Sequence, residues 1–259
     1  MNKASRVFGS AAAQYDAGRP GYHDGLAAAV LDYAGPSRRT AVEIGAGTGK
    51  ATVHFAGALA LTCLEPDARM AEVLRENLAA FPSVSVEVTD FESWPARPAG
   101  ILLAGTSWHW VDRARRWDFA ANVLAPDGVA ALFWNPLGIV DPAVQAALAA
   151  VEREAGIDEA TLTPLASSFG PHAGDWDHSG LWPAGSLDPR FGDVREIRFR
   201  DEMTYSTDGY LALLDSTSTY RLLEPAKRAR TLAAVAGVLG GDGLRLLRVT
   251  DLFLTRMRP

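Results

Sequence analysis

At 259 residues the chain is long enough for one large α/β domain, or for a compact domain carrying an inserted cap. Hydrophobic residues make up 48% and charged ones 22%, a composition that excludes a disordered or collagen-like chain. With 25 basic against 31 acidic residues the net charge is −6, so there is no footprint for a nucleic-acid backbone or an anionic membrane, and a small-molecule partner is expected.

The first half alternates short apolar runs with helical periodicity, the pattern of βαβ units and a parallel sheet covered on both faces. Strands are predicted at 40–44, 61–64, 84–89, 100–104 and 129–134. The single cysteine, Cys63, lies within the second of these and is expected in the core rather than in any internal disulfide. Between the last two strands, Asp112 is a candidate helix cap. Trp117, Ala121 and Leu124 follow at helical spacing until Pro126-Asp127-Gly128.

After Asn135-Pro136 the pattern changes. Asp141 and Pro142 predict a helix start, with Val144, Leu148 and Val151 on its buried face. The stretch 163–191 is rich in Gly, Pro, Ser, Asp, His and Trp, too irregular for a core element, and reads as a cap over a site. Strand character resumes at 194–199. Helices are predicted near 208–223 and 225–239, the second ended by Gly240-Gly241, and an apolar run at 249–257 closes the chain. The expected organisation is a single domain over 1–259, with an N-terminal lid (1–35), a cofactor-binding core (36–135), a cap (136–191) and C-terminal strands and helices (192–259).

The first strand runs into Gly45-Ala46-Gly47-Thr48-Gly49, where backbone amides can face a ligand with no side chain in the way, and a helix is expected from Lys50. A phosphate-binding P-loop needs four residues between its glycines and a Lys-Ser or Lys-Thr pair; here three separate Gly45 from Gly49 and Ala51 follows Lys50. The dinucleotide fingerprint places its third glycine where this chain has Lys50. A cofactor with a ribose but no pyrophosphate remains. Glu65, 20 residues after Gly45 at a strand end, can take both ribose hydroxyls. Asp90 can accept from an adenine amine while Phe91 packs on the purine face. The three features in order on successive strands describe adenosine.

With those residues in place, the chain resembles the class I S-adenosylmethionine-dependent methyltransferases, in the small-molecule branch that includes trans-aconitate methyltransferase-like proteins. The resemblance rests on Val42 to Gly49 and on Leu64-Glu65-Pro66-Asp67. It extends to Tyr15 to Tyr22 near the N-terminus, to Trp108-His109-Trp110-Val111-Asp112, and to Ser218-Thr219-Tyr220-Arg221. It implies a Rossmann-like α/β fold whose seven-stranded sheet runs 3-2-1-4-5-7-6 with the last strand antiparallel. It also implies S-adenosyl-L-methionine as cofactor and S-adenosyl-L-homocysteine as product. The implied cofactor set is Tyr15, Arg19, Glu43, Gly45, Ala46, Gly47, Thr48, Gly49, Glu65, Pro66, Met70, Asp90, Phe91 and Thr106. Relatives often carry glutamine where this chain has Thr106.

The N-terminal segment is expected to fold over the cofactor, Arg19 offering a bidentate fork to its carboxylate and Tyr15 or Tyr22 a ring near the sulfonium. Methyl transfer from a sulfonium is an in-line displacement, so the protein mainly aligns the nucleophile and excludes water. His109 is the candidate general base, with Tyr15 also placed near the reaction, while Trp108 and Trp110 would wall the cavity. His23 is a weaker base candidate. Tyr22, Tyr220 and Arg221 are candidate acceptor contacts, with Tyr205 beside them, and Arg221 would suit a carboxylate. His172, Asp175, Asp177 and His178 match no standard metal spacing, so no metal is expected. Trp176 and Trp182 could close over an acceptor. With no run of about 18 apolar residues and no basic stretch leading into an apolar one, a cytoplasmic protein is expected, and oligomeric state is not legible.

Three further uses of such a sheet compete with methyl transfer. An enzyme could consume the same cofactor without moving its methyl, or the chain could bind it as a non-catalytic partner. A nicotinamide oxidoreductase is disfavoured, because none of Lys3, Lys50 and Lys227 follows a tyrosine by four places.

Overall fold

The computed structural model describes residues 16, 18–157 and 187–259. Its centre is one sheet of eight strands: β1 (Thr40–Ile44), β2 (Ala60–Leu64), β3 (Val84–Glu87), β4 (Ala99–Gly105), β5 (Leu124–Trp134), β6 (Leu137–Ile139), β7 (Phe191–Tyr205) and β8 (Leu244–Met257). The order β3-β2-β1-β4-β5-β8 continues to β7 on the far edge of β8. β1 to β5 are parallel, and β8 is antiparallel to its neighbours. This agrees with the expected α/β topology: the long late strand β7 and the final strand β8 are the sixth and seventh of that pattern.

β6 is an addition. It lies along the same edge of β8 as β5, pairing Leu137 with Arg248 where β5 pairs Trp134 with Asp251. Proline at 136 has no N–H to give the ladder, so one long strand is divided in two at Asn135-Pro136.

Period-two alternation along the central strands separates two apolar faces. One gathers Ala41, Leu61, Cys63, Leu103 and Phe133 under α1 (Gly25–Ala34) with Leu26 and Val30. The other gathers Ile44, Leu102, Trp108, Leu132 and Phe253. α3 (Arg116–Val123) lies on that second face through Ala120 and Val123, and α2 (Ala68–Asn77) follows β2, its Asp67 capping the Arg69 amide at 3.0 Å. A third cluster joins α4 (Pro142–Glu154), α5 (Thr207–Asp215), α6 (Ser218–Arg221) and α7 (Pro225–Leu239) to β6 and to the start of β8.

Several expectations change. The stretch after the glycine turn holds one 3-10 turn, Thr52–His54, in place of the expected helix, and β2 begins at Ala60. α3 begins at Arg116, while Asp112 accepts the Ala114 amide and closes the preceding turn instead of capping the helix. Leu124 is not on the helix but starts β5. The expected helix 208–223 is two, α5 and α6. Within the expected cap, α4 starts at Pro142, with Asp141 accepting from Ala143 and Val144, while 158–186 lies outside the described residues.

Candidate functional site

The carboxyl ends of β1, β2 and β4 meet at the glycine turn. Gly45, Gly47 and Gly49 all have positive φ, and two of them sit where no side chain fits. A Cβ on Gly45 would lie 2.8 Å from Ser107 Cβ, and one on Gly49 would lie 2.8 Å from Leu74 Cδ1. Ser107 donates to the Ile44 carbonyl at 2.6 Å and Asn77 to the Thr48 carbonyl at 2.9 Å, so the turn is clamped from β4 and from α2. Ala46 donates its amide to the Leu64 carbonyl at 3.1 Å, which ties the turn to β2. Met70 packs beside Gly47, its Cε 3.7 Å from where a Cβ there would be.

Glu65 is only 5% exposed and follows β2, where its two oxygens accept the Gly47 amide at 2.8 Å and the Asp67 amide at 2.9 Å. Burial raises its carboxyl to about 6, the two amides opposing that shift. Each oxygen keeps a further lone pair, so a vicinal diol can still be accepted. Glu43 lies on the apolar face beside Cys63, and burial pushes it up to about 8 despite the neighbouring Thr52 hydroxyl. Its carboxyl is therefore neutral at pH 7. The Thr48 hydroxyl is buried with no hydrogen-bond partner in the structure.

Asp90 and Phe91 follow the third strand. Asp90 is half-buried and accepts the Ser93 amide at 2.9 Å. Phe91 is buried in the second apolar cluster, edge-on to Phe119.

Across the cleft from the turn runs the segment 18–23. Lys50 pairs with Asp16 at 3.3 Å, which ties the start of that segment to the turn itself. The Tyr22 hydroxyl shares a hydrogen bond of 2.9 Å with Thr106 Oγ1, and its ring stands edge-on to Phe133 at 4.9 Å. Thr106 has a φ of 50°, an unfavourable conformation for a β-branched residue, as is common where a strand end serves a ligand. Arg19 is half-buried and close enough to Tyr205 to act electrostatically on its phenol, and Tyr205 donates to the Gly18 carbonyl at 3.2 Å.

A polar set that the sequence reading missed holds this segment down. Arg248 donates to the Gly21 carbonyl at 2.7 Å and pairs with Asp201 at 2.6 Å. Asn135 also donates to Gly21 at 3.0 Å and meets the Thr250 hydroxyl at 2.7 Å, while Thr250 accepts the His23 amide at 3.2 Å. Thr250 and Asp251 inside an otherwise apolar run were the available signal.

The Trp108–Trp110 turn divides the expected cavity wall. Trp108 is 0% exposed and packs against Trp117 at 5.1 Å, so its ring is part of the core and not a wall of the cleft. Trp110 is half-buried and lies 4.8 Å from His109. His109 is exposed to solvent yet crowded enough that desolvation lowers its imidazole to about 4, as for a group set in a concave surface. Tyr220 is also fully buried, donating to Glu152 at 3.0 Å, and is a packing residue of the third cluster; Arg221 beside it is half-buried. His23 stacks on Phe199 at 4.7 Å, its Nδ1 accepting the Gly25 amide. Tyr15, His172, Asp175, Trp176, Asp177, His178 and Trp182 lie outside the described residues.

The residues present fit an adenosine-bearing cofactor: a turn that a Cβ would block, a buried carboxylate with lone pairs to spare, and an unpartnered Thr48 hydroxyl. Residues 41–128 match a family model described as a methyltransferase domain. Uncharacterized methyltransferases of Mycobacterium bovis and Mycobacterium tuberculosis are 35% identical over 135 residues, 51% of this chain. The chain spans about half the length of these curated relatives, 53%. A candidate type II methyltransferase from Anaeromyxobacter dehalogenans has a similar fold, with a TM-score of 0.61 at 24% identity over 93% of this chain and 97% of its own. So does a candidate sarcosine dimethylglycine methyltransferase from Galdieria sulphuraria, with a TM-score of 0.50 at 16% identity over 91% and 85%. Residues 41–128 thus match a methyltransferase domain, and the order of the sheet is that of a Rossmann-like α/β fold shared with these methyltransferases.

Proposed function

We propose that the protein transfers a methyl group from S-adenosylmethionine to an oxygen, nitrogen or carbon atom of a small-molecule acceptor. The observation that carries this reading is the pairing of Glu65 with the Gly47 amide, which sets a buried carboxylate beside a side-chain-free turn. When bound, the cofactor supplies a methyl group made electrophilic by its sulfonium. The chain does the rest by binding and alignment.

Glu65 takes the ribose hydroxyls, while Asp90 receives the adenine amine beside Phe91. Gly45 to Gly49 present amides to the amino-acid arm, flanked by Glu43, Pro66, Met70 and Thr106. Arg19, from the segment that crosses the cleft, takes the carboxylate end, and Tyr22 with Thr106 closes the site against water; Tyr15 belongs to the same segment. His109, neutral at pH 7, accepts the acceptor's proton where one must leave. Its low basicity suits a modest proton load, such as an acceptor that is already partly ionised. Trp110, Tyr22 and Arg221 are the proposed acceptor contacts that retain some exposure or lie at the cleft.

The net charge of −6 favours a small acceptor over nucleic acid or an anionic membrane, in keeping with a cytoplasmic enzyme. Mass analysis of the nucleoside product after incubation with S-adenosylmethionine and an acceptor panel tests the proposal. S-adenosylhomocysteine is the expected product. Methylthioadenosine would mean that the cofactor's side chain is consumed instead, and tight binding with no turnover would mean a non-catalytic partner.

A further inference from the structure

At the Trp108–Trp110 turn and the start of α3, two buried donors lie together with no acceptor among the described residues. Arg116 is 5% exposed, its guanidinium carbon 5.5 Å from the centre of the Trp108 ring. Its Nε and the Trp108 Nε1 are both sealed from solvent with no hydrogen-bond partner. Among the described residues no carboxylate pairs with Arg116. Stacking on the indole satisfies the face of the guanidinium but not its Nε–H.

The surroundings add positive potential. Arg116 is the first residue of α3, whose N-cap, Arg115, provides no side-chain acceptor, and Arg113 acts on it as a like charge. A buried cation with an unmet N–H is costly for a core to hold, and its persistence at a helix start beside a second orphan donor calls for a counter-charge that none of the described residues supplies. We propose that Arg116 and Trp108 Nε1 form an oxyanion site, which takes a carboxylate or phosphate group carried by the acceptor or a free anion of the same chemistry. The guanidinium fork donates to two oxygens of the anion and the indole N–H donates a third hydrogen bond. The acceptor-borne case rests on the methyl-transfer reading; the free-anion case does not.

Thermal unfolding of the full chain at pH 7, in chloride, citrate or inorganic phosphate at equal ionic strength, tests the site. Wild type should gain about 2–6 °C from saturating citrate or phosphate over chloride. Arg116→Met keeps the length and the packing on Trp108 but removes the charge. It should melt at or above wild type in chloride and gain under ~1 °C from either anion. Should that variant fail to fold by circular dichroism, Trp108→Phe serves instead: it keeps an aromatic ring, loses the N–H, and should retain only about half of the anion gain.

A gain from phosphate and citrate alike without S-adenosylhomocysteine identifies a free-anion site. A gain from citrate that requires S-adenosylhomocysteine identifies an acceptor group; both outcomes support the site. No gain in wild type, or an equal gain in Arg116→Met, overturns it, as does an Arg116→Met protein that melts well below wild type in chloride. S-adenosylhomocysteine binding is followed separately by calorimetry. Its absence would sink the methyl-transfer reading while leaving the citrate and phosphate result without added nucleoside to stand or fall alone.

Discussion

Glu65 reaches back 18 positions to accept the Gly47 amide at 2.8 Å, while its other oxygen holds the Asp67 amide at the start of α2. One carboxylate thus sets the shape of the turn and the entry to the next helix, and it is also the group proposed to receive the ribose. Glu65→Gln keeps one acceptor oxygen but turns an NH2 toward a backbone donor. S-adenosylhomocysteine affinity should fall about tenfold to a hundredfold by isothermal titration, since a charge-assisted hydrogen bond contributes about 1.5–3 kcal/mol. Unchanged affinity would remove Glu65 from the cofactor set.

The two buried glutamates make the cofactor-free protein pH-sensitive. Glu43 rises from an ordinary 4.5 to about 8 and Glu65 to about 6, so the folded state holds more protons than the unfolded chain between those values. Stability therefore falls as pH rises through that window. His54 and His109 are shifted down and act oppositely, but only below their ordinary 6.5. From pH 6.5 to 8 Glu43 acts without that opposition, with a limiting slope of about 1.4 kcal/mol per pH unit. The unfolding midpoint should drop across this interval and stay nearly flat in Glu43→Gln; a parallel drop in the variant contradicts the assignment.

The glycines differ in what they tolerate. Gly45→Ala would place a methyl against Ser107 at a φ of 62°, and Gly49→Ala would place one against Leu74 at 95°. Each should cost about 1–3 kcal/mol in chemical denaturation. Gly57→Ala meets nothing within 4 Å and has no positive φ, so it should be neutral or slightly stabilising.

Arg248, through the Gly21 carbonyl, and Tyr22, through Thr106, both hold the segment 18–23 in place. Tyr22→Phe loses the hydroxyl shared with Thr106 and should cost about 0.5–1.5 kcal/mol. Arg248→Met leaves Asp201 without its fork and releases one of the two donors on the Gly21 carbonyl. It should cost about 1–3 kcal/mol and speed limited proteolysis near residues 18–23. Equal proteolysis of wild type and Arg248→Met would show that the segment is held by other contacts.

The strands were legible because their composition repeats the physics of a buried parallel sheet: 40–44 agrees with β1, and the helix 225–239 agrees with α7. The turn's ligand chemistry was legible because glycine spacing is a steric requirement. The failures have equally local causes. Lys50 to Leu59 looked helical by the rule that a helix follows such a turn, but the stretch holds only the 3-10 turn Thr52–His54 before β2. Leu124 kept the helical spacing of Trp117 and Ala121, yet the ladder to Ala99 claimed it. Trp108 and Trp110 read alike in sequence. A 3-10 turn sends the first into the core and leaves the second at the surface. The Arg248, Asn135 and Thr250 set joins residues more than 100 positions apart, and no local pattern encodes such a contact.

A crystal structure of the full chain with S-adenosylhomocysteine tests the central claim most directly. The account predicts both ribose hydroxyls within hydrogen-bond distance of Glu65, the adenine amine at Asp90, and the amino-acid arm along Gly45 to Gly49 beneath Tyr22. A nucleoside bound elsewhere, or bound at the turn with Glu65 still held only by Gly47 and Asp67, would contradict it.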